Sequence, residues 1–517
     1  MFNKQRYILG VGRKLDSDKK TFITPVMLGA VSFLLYHLSL APTYSWGDSA
    51  DFAIRSAIGD QSWEGSPRDY DIFDFILKLF RNLDLVGTQA QANLVTAIFG
   101  AISVGLTSYL ALIISKSIRV AAFSGCILMV SHTFWLMSVT AEVYTFNIVL
   151  ILLVYVNIVK YREKQNYRSL FYVGVFTGLC LSHHSTGLMV ILSQAPLIYE
   201  TLKRKNLKEF LIWFMTILLF GSIYIGRVIE AIKNQQNLLN AFGVYRSTNF
   251  LNETNNFVEV LKFAGFLIYN FPSALIICII IILFRFRNLE KQKFVPEGTR
   301  FPLPYEPIIF SAMIIFGGIW STIPDKHNIF VLAYPVVSVL IGKTTVHLLD
   351  MWRPKHLRFL SLLCFTTLLS PILYFSTYRL ANEMGVNVSG ARLLNDRDNN
   401  RYFLWPPKNG DYGPELLANK ILGDLPENSI LIADYTIFMP LTFELKVQKN
   451  RSDVSLVFSE SLLSTGLEDF YEENRRRRIF LATDTPPSYY GIENLSPNLT
   501  LRRKGVIFEL VKVGNDN

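Results

Sequence analysis

Windows of about 18 to 20 residues with almost no charge recur along this chain, each long enough to cross a bilayer as a helix. They include Thr24 to Pro42, Ala90 to Ile114, Val120 to Val139, Phe210 to Ile229, Leu261 to Leu283 and Phe359 to Phe375. No other feature constrains the fold so strongly, because a segment in hydrocarbon must bond its own backbone groups and does so as a helix. Only 18% of the residues are charged, against roughly 25% for a soluble globule. The fold class is therefore an α-helical polytopic membrane protein.

The distribution of charge gives the orientation. The net charge is +10, but the basic residues cluster in short loops between apolar spans, as in cytoplasmic loops. No basic patch is interleaved with aromatics, so no nucleic-acid partner is read. Lys4, Arg6, Arg13, Lys14, Lys19 and Lys20 precede the first span with no small-residue cleavage site after it, which reads as an uncleaved anchor with a cytoplasmic N-terminus. Counting onward gives about eleven spans, with every strongly basic loop on one side and the C-terminus on the other. Cys126, Cys180, Cys278 and Cys364 all lie inside apolar runs and read as core residues rather than zinc ligands or disulfides.

Residues 1–375 form the membrane module in this reading. Its first outer loop, 43–88, carries an amphipathic helix over 70–83: Ile72, Phe73, Ile76, Leu77 and Phe80 share one face, and Asp71, Asp74, Lys78 and Arg81 the other. That pattern fits a helix lying on the outer leaflet, or one packed on the protein's own surface. A second outer loop spans 230–257. From residue 376 to 517 the composition becomes that of a soluble α/β domain, with strands expected at Ile430–Asp434, Val454–Phe458, Ile479–Ala482 and Val506–Val513. The orientation places this domain outside.

Candidate chemistry gathers on the same outer side. Asp48 and Asp51 follow the first span directly, and acids beside a membrane are expensive to desolvate unless they serve a pathway or a reaction. A carboxylate within hydrogen-bond reach can take the proton of an attacking hydroxyl; the plainer reading is a pair capping the helix that starts near Ala50. Glu142, His183, His184, Asp325, Lys326 and His327 sit at three further hairpin tips on that side, where each is either an interfacial residue or part of one shared cavity. Aspartate with several histidines also suits a divalent metal, although the spacing does not specify one. Arg227 ends the seventh span, as a phosphate clamp or as a side chain snorkelling to headgroups.

Several motifs together resemble a known family. Trp46-Gly47-Asp48-Ser49-Ala50-Asp51-Phe52 is followed by Asn93, Ala141-Glu142-Val143-Tyr144, Leu181-Ser182-His183-His184, Tyr224-Ile225-Gly226-Arg227 and Asp325 to Tyr334. In the tail come Leu425 to Asp434 and Arg451-Ser452-Asp453-Val454. The series is similar to a family of multi-span membrane proteins, found in many bacteria, that includes the animal endoplasmic-reticulum O-mannosyltransferase of plexin-type immunoglobulin-like domains. The resemblance implies a GT-C-like glycosyltransferase taking sugar from a polyprenyl- or dolichyl-phosphate donor, with a protein or glycan acceptor, in a bacterial plasma membrane or the endoplasmic reticulum. It implies Asp48 and Asp51 as catalytic residues. Trp46, Glu142, Tyr144, His183, His184, Arg227, Asp325, Lys326 and His327 become donor- or substrate-binding residues, with no metal ligand assigned. Two departures stand out: Asp51 replaces the family's usual glutamate, and Ser66-Pro67-Arg68-Asp69-Tyr70-Asp71 replaces its His-Pro-Pro-Gly-Tyr-Pro, keeping Pro67 and Tyr70. The alternatives are a transporter or flippase of lipid-linked sugars, which would need polar groups at mid-membrane, and a catalytically degenerate scaffold.

Overall fold

The computed structural model describes residues 22–59, 70–83, 85–234, 256–272, 279, 304–319, 326–350, 356–462 and 466–513. Among the described residues twelve helices come first: α1 (Ile23–Leu38), α2 (Asp48–Ile58), α3 (Asp71–Arg81), α4 (Gln91–Ser115), α5 (Ile118–Met129), α6 (His132–Val139), α7 (Tyr144–Lys164), α8 (Tyr167–His183), α9 (Gly187–Ser193), α10 (Ala195–Lys203), α11 (Leu207–Phe220) and α12 (Ser222–Lys233). Then come α13 (Asn256–Asn270), α14 (Tyr305–Ile319), α15 (Tyr334–Asp350) and α16 (His356–Glu383). Three stretches are long and apolar enough to cross a membrane as single helices: Gln91–Ser115, Tyr144–Lys164 and Phe330–His347. Two bent pairs raise the number to five among the described residues, and Ile23–Leu38 and Tyr305–Ile319 are shorter apolar helices.

The bent pairs correct the sequence reading, which drew both as single spans. The run Val120 to Val139 breaks between α5 and α6 with a bend of 64°, and Phe210 to Ile229 breaks between α11 and α12, also by 64°. A break in a membrane helix frees backbone groups, which neighbouring helices must then satisfy. At the first break the Tyr36 hydroxyl donates to the Met129 carbonyl at 3.0 Å and Tyr374 donates to Val130 at 3.1 Å. The Thr133 amide donates to Asn270 Oδ1 at 2.7 Å. At the second break Ser182 Oγ donates to the Phe220 carbonyl at 2.8 Å.

Small residues bring the helices close. Gly174 and Gly178 of α8 lie directly on the α11 backbone, where a Cβ would strike Trp213, Ile217 and Gly221. Such close approach suits association in lipid, where packing replaces the hydrophobic driving force. Tyr155, Phe123, Phe134, Phe310 and Phe330 fill one continuous core between the helices. Away from the core, α1 exposes Val26, Met27, Val31, Leu34 and Leu38, as expected of a lipid-facing surface.

The last of these helices runs on to Glu383, eight residues past the sequence-drawn boundary at 375, so the change of composition near Ser376 lies inside a helix. Beyond it come α17 (Asn399–Leu404), α18 (Gly413–Asp424), β1 (Ile430–Ala433), α19 (Tyr435–Thr442), β2 (Ser455–Phe458), α20 (Leu467–Glu473), β3 (Ile479–Leu481), β4 (Leu499–Lys504) and β5 (Ile507–Lys512). The sheet order is β2-β1-β3-β5-β4. Strands β2, β1 and β3 are parallel, and β5 and β4 add antiparallel. Side chains alternate along β1: Leu431 and Ala433 meet Leu417, Ile421, Ile437 and Leu441, whereas Ile430 and Ile432 meet Leu467, Leu481 and Leu510. Strand β4, with its run of Leu499-Thr500-Leu501-Arg502-Arg503-Lys504 largely exposed, went unread in the sequence because its charges mask the pairing with β5.

Candidate active site

The loop from α1 to α2 is pinned at one end of the bundle. Asn93, at the first turn of α4, donates to the carbonyls of Ala41 at 3.0 Å and Thr43 at 2.9 Å. One turn on, Thr96 Oγ1 accepts from the Glu142 amide at 3.3 Å, and Ser49 Oγ accepts from the Ala141 amide at 3.2 Å. These bonds place the turn before α7 beside the start of α2. Gly47 then precedes α2 with φ +58° and ψ −126°, a backbone conformation reserved for glycine.

Asp48 and Asp51 both fall in the first turn of α2, but their environments differ. Neither acts as a side-chain cap, since Gly47 holds the N-cap position and no side-chain cap bond forms. Their charge still favours the positive helix end. Asp51 is 4% exposed. Its Oδ2 accepts from Arg55 Nε at 2.9 Å, and Arg55 Nη1 reaches Asp74 Oδ2 at 3.0 Å. The result is a buried Asp51–Arg55–Asp74 triad joining α2 to α3. Burial holds the Asp74 carboxyl above its usual range, against the opposing pull of the Arg55 guanidinium. Asp48, by contrast, is exposed. Its Oδ1 accepts from the Tyr435 hydroxyl at 2.5 Å.

Helix α3 turns the residues read as its apolar face into the protein. Phe73 and Leu77 are fully buried, with Ile72, Ile76 and Phe80 packed on the same core. Asp74, read as part of the polar face, is buried against Arg55 instead. Phe75 and Leu79 stand exposed, which gives the helix an apolar surface on its outer side too. Asp71 pairs with Arg227 of α12 at 2.5 Å, so Arg227 is held by a carboxylate.

Behind α2, rings from four elements converge. Phe52 lies 5.6 Å from Tyr70 and 5.4 Å from Phe73. His183, 1% exposed, packs on Phe146 at 4.8 Å and Tyr70 at 5.8 Å, with Nε2 3.3 Å from the Val143 carbonyl. His184 stacks on Tyr70 at 6.0 Å and faces Tyr144 at 6.2 Å, and its Nδ1 accepts from the Thr186 amide at 3.1 Å. The helix that carries Asp48 and Asp51 is thus linked to the turn bearing Glu142 and Tyr144 through Ser49, and to His183 and His184 through Phe52 and Tyr70. Asp325 lies outside the described residues, as do the side chains of Lys326 and His327. Among the described residues no three His, Cys, Asp or Glu side chains group so as to hold a metal ion.

Trp46 is buried in the core of the C-terminal α/β unit, with Leu417, Ile421 and Ile437. The Arg397 guanidinium lies over its ring at 5.5 Å. Ser45 Oγ meets the Tyr402 hydroxyl at 3.2 Å, and Tyr44 donates to Glu444 at 2.7 Å. Lys408 is 2% exposed, with Nζ donating to the Trp405 carbonyl and lying 5.2 Å from the Tyr402 ring. Burial lowers its ammonium to about 7. Sequence reasoning missed Arg55, Asp74, Tyr435 and Lys408. Only Arg55 left a local trace, four residues after Asp51 on one helix face.

This arrangement, an acidic loop at one end of a bundle of apolar helices with an α/β unit packed on it, defines the class of protein. Crystal structures of ArnT from Cupriavidus metallidurans share the fold. The structure bound to undecaprenyl phosphate gives a TM-score of 0.52 at 14% identity, covering 95% of this chain and 98% of that one. The apo structure gives a TM-score of 0.52 at 14% identity, over 94% and 97%. By fold, the chain thus belongs to the same class of structure. Within that class, residues 67–208 match the family described as Protein O-mannosyl-transferase TMEM260 N-terminal domain. The match takes in Tyr70, Asn93, Ala141 to Tyr144 and Leu181 to His184, and supports the family resemblance carried by those motifs. No curated protein matches the sequence.

Proposed function

We propose that the chain is a glycosyltransferase that moves a sugar from a polyprenyl-phosphate donor to an acceptor hydroxyl on the non-cytoplasmic face. The observation that carries the reading is Asp48. It is an exposed carboxylate at the outer end of an apolar helical bundle whose fold is shared with a structure that binds undecaprenyl phosphate. Asp48 acts as general base. The acceptor oxygen attacks the anomeric carbon as its proton passes to the Asp48 carboxylate. The bond from that carbon to the phosphate oxygen breaks on the opposite side, and the lipid phosphate leaves with the electron pair, inverting the anomeric centre. General-base assistance of this kind contributes roughly 10² to 10⁴ in rate.

Asp51 takes a different role from Asp48. Its carboxylate is buried and engaged by the Arg55 guanidinium, so Asp51 fixes the first turn of α2 through Arg55. Arg227, beside α3, is the candidate for neutralising the departing phosphate. Its fork of donors reaches an anion while one arm stays on Asp71. Mannose is the first sugar to test and a protein Ser or Thr hydroxyl the first acceptor, on the strength of the family match.

The test is donor consumption by the full-length protein in lipid nanodiscs, given a panel of polyprenyl-phosphate sugars and host extract as acceptor. Wild type should consume one donor, and the Asp48→Asn variant should lose at least about a hundred-fold of that rate with unchanged expression. Transfer retained in the variant rejects Asp48 as base. A lipid-sugar that co-purifies intact and is never consumed rejects the transferase reading.

A further inference from the structure

We propose that Tyr435 of the C-terminal α/β unit is a positioning residue of the active site, which aims the Asp48 carboxylate at the acceptor hydroxyl. The inference rests on Asp48 being the base. Three independent features place the phenol. Its hydroxyl donates to Asp48 Oδ1 at 2.5 Å, across a sequence separation of 387 residues. Its ring faces Gly47, where an added Cβ would come into ordinary contact with Tyr435 Cε1 at 3.6 Å. The helix that carries it is docked on α2: Met439 and Phe443 pack with Tyr44, Ala50, Ala53, Ile54 and Ala57.

The backbone at Tyr435 is held from the other side as well. Asp434 caps α19 by accepting from the Thr436 amide at 3.1 Å. The same carboxylate accepts from the Tyr490 hydroxyl at 2.6 Å and pairs with Arg392. Tyr435 therefore leaves the carboxyl end of β1 in a fixed direction, toward the acidic loop.

The chemistry of this contact runs one way. Burial, then the charges of Asp48 and Asp51, raise the Tyr435 phenol far above its ordinary value, so it keeps its proton and donates. A hydrogen bond from a neutral donor to one carboxylate oxygen fixes the plane of the group, and with it the direction from which the carboxylate takes the substrate's proton. An exposed aspartate at a helix start otherwise samples several rotamers, only some of which face the acceptor. Tyr435 contributes no proton and no electron pair to the reaction; it acts through Asp48.

The experiment compares Tyr435→Phe, Asp48→Asn and the double variant in nanodiscs, using the donor that wild type consumes, with undecaprenyl phosphate as a binding probe and a thermal melt as a fold check. Phenylalanine keeps the ring against Gly47 and removes only the hydroxyl. We expect Tyr435→Phe to lower kcat about ten-fold, the scale of one hydrogen bond to a charged group. Donor KM, undecaprenyl-phosphate affinity and melting temperature should stay within two-fold or about 2 °C of wild type, and the double variant should be no slower than Asp48→Asn alone. Wild-type kcat in Tyr435→Phe beside an inactive Asp48→Asn overturns the positioning role alone. Weaker donor binding or a lower melting temperature in Tyr435→Phe also overturns it, in favour of simple docking of the α/β unit. An active Asp48→Asn sinks the base reading and this proposal with it.

Discussion

Replacing Arg55 by methionine isolates the buried triad that ties the acidic loop to α3. The side chains of Asp51, Arg55 and Asp74 are 6%, 6% and 4% exposed, with contacts of 2.9 and 3.0 Å. Each pair gains on the order of 4 kcal/mol of attraction at an effective dielectric near 20, against a desolvation cost of several kcal/mol per ion, so the intact triad contributes little net stability. Taking away Arg55 alone leaves two carboxylates buried without their cation, which costs about 3–5 kcal/mol. The assay is thermal unfolding in nanodiscs at pH 8 and pH 5. The Asp74 carboxyl already lies above its usual range because burial outweighs Arg55. A raised carboxyl favours the folded state below the unfolded value and loses that contribution as pH rises through the folded one. Without Arg55 the carboxyl rises further, so the variant's deficit should be large at pH 8 and shrink at pH 5. Adding Asp74→Leu should restore part of the loss at pH 8 by removing one unpaired charge. A melting temperature equal to wild type at both pH values would falsify the closed, buried triad.

Lys408 gives a pH effect of opposite sign. Its folded value near 7 lies below the unfolded value near 10.5, so between the two the unfolded chain holds the extra proton and stability rises with pH. Melting temperature should climb from pH 7 to pH 9, and Lys408→Met should flatten that climb; an identical slope in both proteins refutes the buried ammonium. Trp46→Ala removes a ring from the core of the α/β unit, at a cost of roughly 3–5 kcal/mol. Limited proteolysis should cleave residues 384–513 faster in that variant while the helical core stays intact, and unchanged cleavage refutes the anchoring role.

How much of the site was legible in the sequence follows from the range of each interaction. Asp48 and Asp51 stood out because a charge next to an apolar span is conspicuous in one dimension. The helices and strands β1, β2, β3 and β5 were readable from apolar runs and periodicity. The breaks at Met129–Val130 and Phe220–Gly221 were not, because their freed carbonyls are satisfied by Tyr36, Tyr374 and Ser182 from other helices. Asp74 was misplaced on the polar face of α3 because its partner, Arg55, comes from another helix. Tyr435 left no mark at all, being one more aromatic after a strand until the fold brings its hydroxyl to Asp48.

The sequence by itself determined that this chain carries helices apolar enough to cross a membrane, and which acidic loop follows the first of them. Those are consequences of local hydropathy, where one solvent or another claims each segment. The tertiary structure alone decided which of two aspartates three residues apart is exposed and which is locked to an arginine. It also decided which tyrosine of the α/β unit reaches the exposed one. A carboxylate's chemistry depends on burial, counter-charge and hydrogen bonds, and here Asp48 takes its hydrogen bond from Tyr435, 387 positions away, while the arginine that neutralises Asp51 is shared with Asp74 of another helix.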